Sequence, residues 1–131
     1  MRFLLDTHIV VWLAVEPARV DKAVAERLRA SDAEIILSVA SWWELAIKEA
    51  AGRLDTTIRP ARLREAWLRR RNVTELAILA AHVFEAAALP GVHKDPFDRI
   101  LVAQARIEGA TLVTVDPVLP SYGIPIIDAK S

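Results

Sequence analysis

The sequence predicts a single α/β domain with a central parallel sheet and helices on both faces. Short apolar runs alternate along the chain with longer segments whose apolar residues recur at helical spacing. This alternation is typical of parallel sheets, because each crossover between neighbouring strands lays a helix on the sheet. The 131 residues contain no repeat, low-complexity stretch or long linker, so we expect one domain over residues 1–131.

The first half of the chain predicts two strands and three helices. RFLL at 2–5 and EIILS at 34–38 are short, apolar and suited to burial on both faces of a sheet. THIVVWLA at 7–14 follows the first strand directly as a helix, and DKAVAERLRAS at 21–31 has helical spacing of its apolar residues. VASWWELAIKEAAG at 39–52 is a helix that a glycine closes.

The second half of the chain continues the alternation. PARLREAWLRRRN at 60–72 and PFDRILVAQARIEG at 96–109 each begin with proline, which the first helical turn tolerates. LAAHVFEAAAL at 79–89 predicts another helix between them. The remaining segments predict three strands, at 74–78, 111–115 and 124–127, and a loop, VHKD, at 92–95.

The composition excludes several classes of protein. With no cysteine, the chain has no disulfide, thiolate zinc site or cysteine nucleophile, and we expect a cytoplasmic protein. Asp6 and His8 interrupt the apolar N-terminus, which argues against a signal peptide, and no run approaches the roughly 20 apolar residues of a membrane span. Lys+Arg and Asp+Glu number 17 each, so any binding of nucleic acid requires a local basic patch.

Acidic residues gather at one edge of the predicted sheet. Asp6 follows the first strand, Asp116 follows the strand at 111–115, and Glu44 lies on the helix after the second strand. Asp95 and Asp98 open the helix that precedes the fourth strand. In open parallel sheets, ligands bind beyond the carboxyl ends of the strands, where the topology reverses.

Helix capping is the simpler interpretation of each acid taken singly. Asp6 and Asp116 stand where N-caps stand, and Ser41 with Glu44 fits a capping box. We expect Asp95 to be a cap.

Capping does not explain why several carboxylates converge. Carboxylates that share a pocket repel one another, so a proton or a cation must lie between them. A site with oxygen ligands and no cysteine favours a hard divalent ion. We expect Mg²⁺, with Mn²⁺ as the alternative. We therefore expect Asp6 to be a metal ligand.

Four segments resemble the PIN-domain ribonucleases of the VapC type, the toxins of toxin–antitoxin pairs. They are LLDTH, SVASWWELAIKEAAGRL, LPGVHKDPFDRILVAQA and LVTVD, in the order of the family and spread over nearly the whole chain. HKDPFDRILVAQA is the most specific of them. His8 departs from the family pattern, since many relatives carry asparagine there.

The resemblance implies a PIN domain with Mg²⁺-dependent endoribonuclease activity, in which a metal-activated water hydrolyses RNA to 5′-phosphate and 3′-hydroxyl ends. It also implies a homodimer, a VapB-type antitoxin as partner, and polar support for the acids from Thr7 and Thr114. The family motif includes His93, Asp95 and Arg99 without assigning them chemistry. The resemblance places Asp6, Glu44, Asp98 and Asp116 in the acidic pocket, with Asp6, Asp98 and Asp116 as metal ligands.

Six arginines between 59 and 71 have two interpretations. They form either a solvated helix face or a wall that binds phosphates, with Arg69, Arg70 and Arg71 as its densest part. Lys48 is a further candidate for substrate binding because it shares a helix with Glu44.

The aromatic residues have a structural interpretation. Trp12, Trp42, Trp43 and Trp67 lie in apolar helical stripes, so we expect core or interface packing for them. We expect helix packing for His82 and loop structure for His93, and assign general-base chemistry to neither.

Two other functions remain as alternatives. A phosphatase of the haloacid-dehalogenase type also has an aspartate after its first strand, but it needs a second acid where this chain has His8. A non-catalytic PIN-like module that binds RNA or protein is the other, and the four acids argue against it.

Overall fold

A parallel sheet of five strands lies at the centre of the computed structural model, which describes residues 1–54, 56–91 and 95–131. Its order is third, second, first, fourth and fifth strand in chain numbering, so the winding reverses between the first and fourth strands. That reversal is where parallel sheets open a crevice for ligands. The strands are β1 (Arg2–Leu5), β2 (Glu34–Ser38), β3 (Val73–Leu76), β4 (Thr111–Thr114) and β5 (Ile126–Asp128).

Helices connect the strands and cover both faces of the sheet, which confirms the predicted fold class. Two 3₁₀ turns, Pro17–Arg19 and Leu119–Tyr122, complete the described structure. The helices are α1 (Thr7–Val15), α2 (Lys22–Arg29), α3 (Val39–Ala50), α4 (Pro60–Leu68), α5 (Ala80–Ala88) and α6 (Pro96–Glu108).

Alternate residues of each central strand enter two separate cores. Phe3 and Leu5 pack among α1 to α4, while Leu4 packs against α6 and the segment after β4. All three side chains are essentially inaccessible to water. Their continuous apolar run is therefore explained by burial on both faces of the sheet.

Several predicted boundaries differ from the structure by one or more residues. The helix predicted at 60–72 ends at Leu68, because the chain turns there so that Val73 can enter the sheet, and Asn72 already accepts a 2.7 Å hydrogen bond from the Ile35 amide. The strand predicted at 74–78 runs from Val73 to Leu76, and the strand predicted at 124–127 is Ile126–Asp128. Most of the loop predicted at 92–95 lies outside the described residues.

Among the described residues, no helix combines the length and the apolar character needed to cross a membrane.

Leu101 lies at the centre of the core between α6 and the sheet, and its side chain is fully buried. We expect Leu101→Ala to lower the free energy of unfolding by about 2–5 kcal/mol, because the substitution removes buried apolar area and leaves a cavity. Urea denaturation measures this loss. Leu79→Ala is the matched control, since Leu79 is 53% exposed and its truncation should change stability little. Equal losses for the two variants would contradict this description of the core.

Candidate active site

Asp6 is carried by β1 to the carboxyl edge of the sheet. The register pairs Leu5 with Val113, and the Asp6 amide continues the ladder with a 2.9 Å hydrogen bond to the Val113 carbonyl. Although Asp6 occupies the N-cap position of α1, its side chain makes no capping hydrogen bond. It accepts a 2.6 Å hydrogen bond from the Thr114 hydroxyl instead. The capping interpretation is therefore wrong for the Asp6 carboxylate.

Thr114 joins the ends of the two strands that flank the reversal in topology. Its buried hydroxyl donates to Asp6 Oδ2 and accepts a 3.0 Å hydrogen bond from the Asp116 amide. Asp116 is half-buried, and its Oδ1 accepts a 2.9 Å hydrogen bond from the Val118 amide, which closes a turn. One threonine thus holds Asp6 in place and fixes the backbone from which Asp116 projects.

Glu44 reaches the same edge from α3. The helix begins earlier than the predicted capping box requires, because Ser38 is its N-cap and its hydroxyl accepts from the Ala40 amide at 3.0 Å. The interpretation of Ser41 and Glu44 as a capping box is therefore wrong. Glu44 lies inside the helix with 9% of its surface exposed.

Two polar contacts align α3 with the site. The Thr7 hydroxyl donates to the Ser41 hydroxyl at 3.0 Å, with both side chains buried. One turn beyond Glu44, Lys48 Nζ lies 3.2 Å from Glu44 Oε2. Ser41, Glu44 and Lys48 therefore form one polar stripe along the helix, which meets α1 at one end.

The environment of Asp6 favours its protonated form. Burial raises the pKa of Asp6 above its ordinary value of 3.8, and the Glu44 carboxylate raises it further. The Thr114 hydroxyl, the charge of His8 and the Thr7 amide act in the opposite direction on this pKa without cancelling the effect of burial. Asp6 is 3% exposed, so water screens these interactions little. A buried carboxylate held this way would be ionised most readily beside a cation.

Asp98 lies in the first turn of α6, half-buried. Its neighbour Phe97 packs edge-on against Trp43, with 5.0 Å between the ring centroids, so α6 meets α3 next to Glu44. The N-cap of α6 is Asp95, whose carboxylate accepts from the Phe97 amide at 2.9 Å. The prediction that Asp95 is a cap is confirmed.

Carboxylate and hydroxyl oxygens make up the donors around Asp6, and these suit Mg²⁺ or Mn²⁺. Within residues 1–54, 56–91 and 95–131, no group of three or more acids or histidines is arranged to hold an ion. Mg²⁺ commonly binds through one or two carboxylates, keeps several waters and takes further ligands from a substrate phosphate. The donor set around Asp6 fits such an ion.

The arginine triplet lies away from these acids. Arg69 to Arg71 precede β3 and so stand at the amino edge of the parallel sheet, whereas Asp6 follows the carboxyl end of β1. Arg70 and Arg71 line a cavity there together with Ser31. Of the four predicted substrate-binding residues, the described structure brings Lys48 alone beside an acid of the pocket.

Sequence reasoning missed two features of the site. Ser41 is the hydrogen-bond partner of Thr7, and the polar stripe that it forms with Glu44 and Lys48 on an otherwise apolar helix is the sequence signal that could have found it. Arg19 lies over Trp12, with its guanidinium carbon 4.1 Å from the ring centroid. No motif marks that pair.

The tryptophans divide into two groups. Trp42 and Trp67 are buried as predicted, and Trp67 Nε1 donates to the Val10 carbonyl at 3.1 Å. Trp43 is 57% exposed, which excludes the core and leaves interface packing as the prediction for it, while Trp12 packs on the core with part of its surface exposed.

His8, His82 and Arg99 lie in three different environments. His82 is fully buried and packs as predicted, with its Nδ1 accepting from the Leu79 amide at 2.9 Å. His8 is exposed beside the site, and His93 lies outside the described residues. Arg99 donates to the carbonyls of Ala86, Leu89 and Pro90, which ends α5 against α6.

Comparison with known proteins identifies the family. The family model for the PIN domain matches residues 3–124. The chain is 32% identical over 125 residues to ribonuclease VapC22 of Mycobacterium tuberculosis, a match that covers 93% of this chain and 92% of the relative.

Solved structures share the fold at low sequence identity. VapBC2 of Rickettsia felis, bound to a DNA fragment from its promoter, has a TM-score of 0.74 at 18% identity and covers 99% of this chain and 100% of that one. VapC20 of Mycobacterium tuberculosis, a toxin that cleaves the sarcin–ricin loop, has a TM-score of 0.63 at 17% identity. The match covers 98% of this chain and 99% of that one. The chain belongs to the PIN domain family and, within it, to the VapC type.

Proposed function

We propose that this chain is a divalent-metal-dependent endoribonuclease, the toxin of a type II toxin–antitoxin pair. The observation that carries the proposal is the buried Asp6 carboxylate, held by Thr114 and facing Glu44 at the point where the sheet reverses its winding. The match to a ribonuclease over 93% of the chain supports RNA as the substrate.

Asp6, Asp98 and Asp116 would hold the ion directly or through bound water, with Mg²⁺ as the proposed species and Mn²⁺ as an alternative. When bound, the ion supplies positive charge against the phosphodiester and polarises a water. Thr114 keeps one oxygen of Asp6 hydrogen-bonded, which leaves the carboxylate in a fixed orientation.

Glu44 would orient the attacking water and accept its proton. Its Oε2 is held 3.2 Å from Lys48 Nζ, and a carboxylate positioned in this way is a group that can accept a proton. The water oxygen attacks phosphorus in line, the bond from phosphorus to the 3′ oxygen breaks, and the products carry a 5′-phosphate and a 3′-hydroxyl.

Lys48 is the proposed substrate contact next to the acids. Its ammonium lies 3.2 Å from Glu44 with 39% of its side chain exposed, so it can reach both Glu44 and an incoming phosphate. The triplet Arg69, Arg70 and Arg71 would contact RNA at the amino edge of the sheet, remote from the cleaved bond.

The proposed cellular setting follows from the relatives. Structures of VapBC assemblies match 99% of this chain from Rickettsia felis and 98% from Haemophilus influenzae, which supports a VapB-type antitoxin as the partner. We propose a homodimer in the cytoplasm as the assembled form of the toxin.

Cleavage of RNA tests the proposal directly. We expect the purified protein to cut single-stranded RNA in Mg²⁺, and EDTA or Asp6→Asn to lower the rate by about 100-fold or more, because each removes the charge that the reaction requires. Sequencing of the RNA ends after induced expression would locate the cuts in the cell.

Asp32→Asn is the matched control for this substitution. Asp32 is exposed and lies just before β2, at the edge of the sheet opposite Asp6. Its variant should cleave RNA at the wild-type rate. RNA binding without metal-dependent cleavage would favour the non-catalytic module, and full activity of Asp6→Asn in EDTA would exclude the metal mechanism.

Thermal unfolding provides a test of ion binding that does not depend on activity. An ion that binds the folded state alone, at ten times its Kd, stabilises by about 1.4 kcal/mol, which is roughly 4–6 °C in Tm for a chain of this length. We expect this increase for the wild type and a much smaller one for Asp6→Asn. Equal shifts for both proteins would place the ion elsewhere.

The pH dependence of stability reports the raised pKa of Asp6. Above pH 4 the unfolded chain loses the Asp6 proton while the folded chain keeps it, so folding becomes less favourable as pH rises through the folded pKa. Asp6→Asn lacks this loss. The difference in the free energy of unfolding, variant minus wild type, should therefore increase with pH in EDTA and level off above the folded pKa of Asp6. Urea denaturation at each pH measures this difference. A difference that stays constant from pH 4 to 8 would contradict the raised pKa.

A further inference from the structure

Two cavities open beside residues of the proposed site, and the same pair of side chains separates them. The larger, of about 550 Å³, is lined in part by Thr114 and Asp116. The smaller, of about 180 Å³, is lined in part by Thr7 and Lys48. Trp12 and Arg19 line both cavities, so together they form a ridge between an opening that reaches Asp116 and one that reaches Lys48.

Arg19 is held at this ridge from two directions. Its guanidinium lies over the Trp12 ring, and Trp12 itself packs against the core. Its backbone is fixed by the next two residues, because Val20 forms a bridge with Lys130 and the Asp21 amide donates to the Ala129 carbonyl at 2.9 Å. The side chain therefore has little conformational freedom to lose when it binds a ligand.

The charge of Arg19 is accessible to an anion. Its side chain is 52% exposed, and its ion pair with Glu16 has a distance of 3.5 Å with Glu16 itself 59% exposed. Exposed pairs of this kind contribute little stability, so a phosphate can compete with Glu16 for the guanidinium.

Further cations lie on both sides of the ridge. Lys130 lines the larger cavity, where Asp116 and Asp128 are the acids, and Lys48 and Arg53 line the smaller one. Because the chain as a whole has no net charge, this local distribution is what an RNA strand would meet.

We infer that Arg19, stacked on Trp12, binds a backbone phosphate of single-stranded RNA next to the cleaved bond, with the strand passing from one cavity to the other. This inference rests on the proposed ribonuclease function and adds to it the path of the substrate. Proteins that bind single strands combine cations along the backbone with planar side chains, and a guanidinium plane also suits stacking by a base.

The salt dependence of RNA binding tests the inference. Affinity of the full chain for a fluorescent 12-nucleotide single-stranded RNA of mixed sequence is measured in EDTA, where metal-dependent cleavage does not interfere, at several KCl concentrations. Loss of one phosphate contact should reduce the slope of log K against log [KCl] by about 0.7 for Arg19→Ala. At low salt, we expect its affinity to fall about tenfold, while Arg19→Lys keeps the slope.

Arg29→Ala is the matched control, since it removes the same charge from the exposed last turn of α2, outside both cavities and outside the proposed RNA contacts. Its slope should equal that of the wild type. In Mg²⁺, Arg19→Ala should raise KM with little change in kcat, because the contact is made equally in the ground state and the transition state. If Arg19→Ala fails to fold, Arg19→Gln keeps the contact with Trp12 and allows the same comparison.

Three outcomes would overturn the inference. An unchanged slope for Arg19→Ala, or equal decreases for Arg19→Ala and Arg29→Ala, would show that the ridge does not bind phosphate specifically. Binding of polyglutamate that depends on Arg19, with RNA affinity unaffected, would assign the ridge to an acidic protein partner. A wild-type chain that neither binds nor cleaves RNA would instead contradict the proposed function, so the two failures are distinguishable.

Discussion

The hydrogen bond from Thr114 to Asp6 is the constraint on which the site depends. It joins the ends of β1 and β4, the two strands between which the winding of the sheet reverses, although 108 residues separate them in the chain. A carboxylate is costly to bury without such a partner. Because the same hydroxyl also accepts a hydrogen bond from the Asp116 amide, one buried side chain fixes both acids at this edge. The register between β1 and β4 therefore determines where Asp6 and Asp116 lie.

The sheet separates two kinds of surface. Its carboxyl edge gathers Asp6, Glu44 and Lys48, whereas its amino edge carries the arginine triplet. Between them, alternate strand residues fill two apolar cores. This arrangement accounts for an electrically neutral chain that is nevertheless proposed to bind a polyanion, because the position of each charge matters more than their sum.

The fold was predictable because local signals agree with one another. Apolar runs buried on both faces, prolines at helix starts and a glycine in the left-handed conformation at Gly109 all mark elements without tertiary information. The predictions failed where long-range contacts decide. The helix at 60–72 stops early since Val73 pairs with Ile35, and Ser41 is inside a helix whose start is set by Ser38. The contact of Arg19 with Trp12 has no sequence signal, because the 3₁₀ turn Pro17–Arg19 folds the chain back beside α1.

The ion pair between Lys48 and Glu44 has a consequence for when the protein folds. Lys48 gives Glu44 a counter-charge from the chain itself, and Thr114 gives Asp6 a hydrogen bond, so both buried acids have partners supplied by the polypeptide. Small zinc domains, by contrast, are unfolded until they bind the metal. Folding of this chain therefore does not depend on an ion to act as the partner of these two acids.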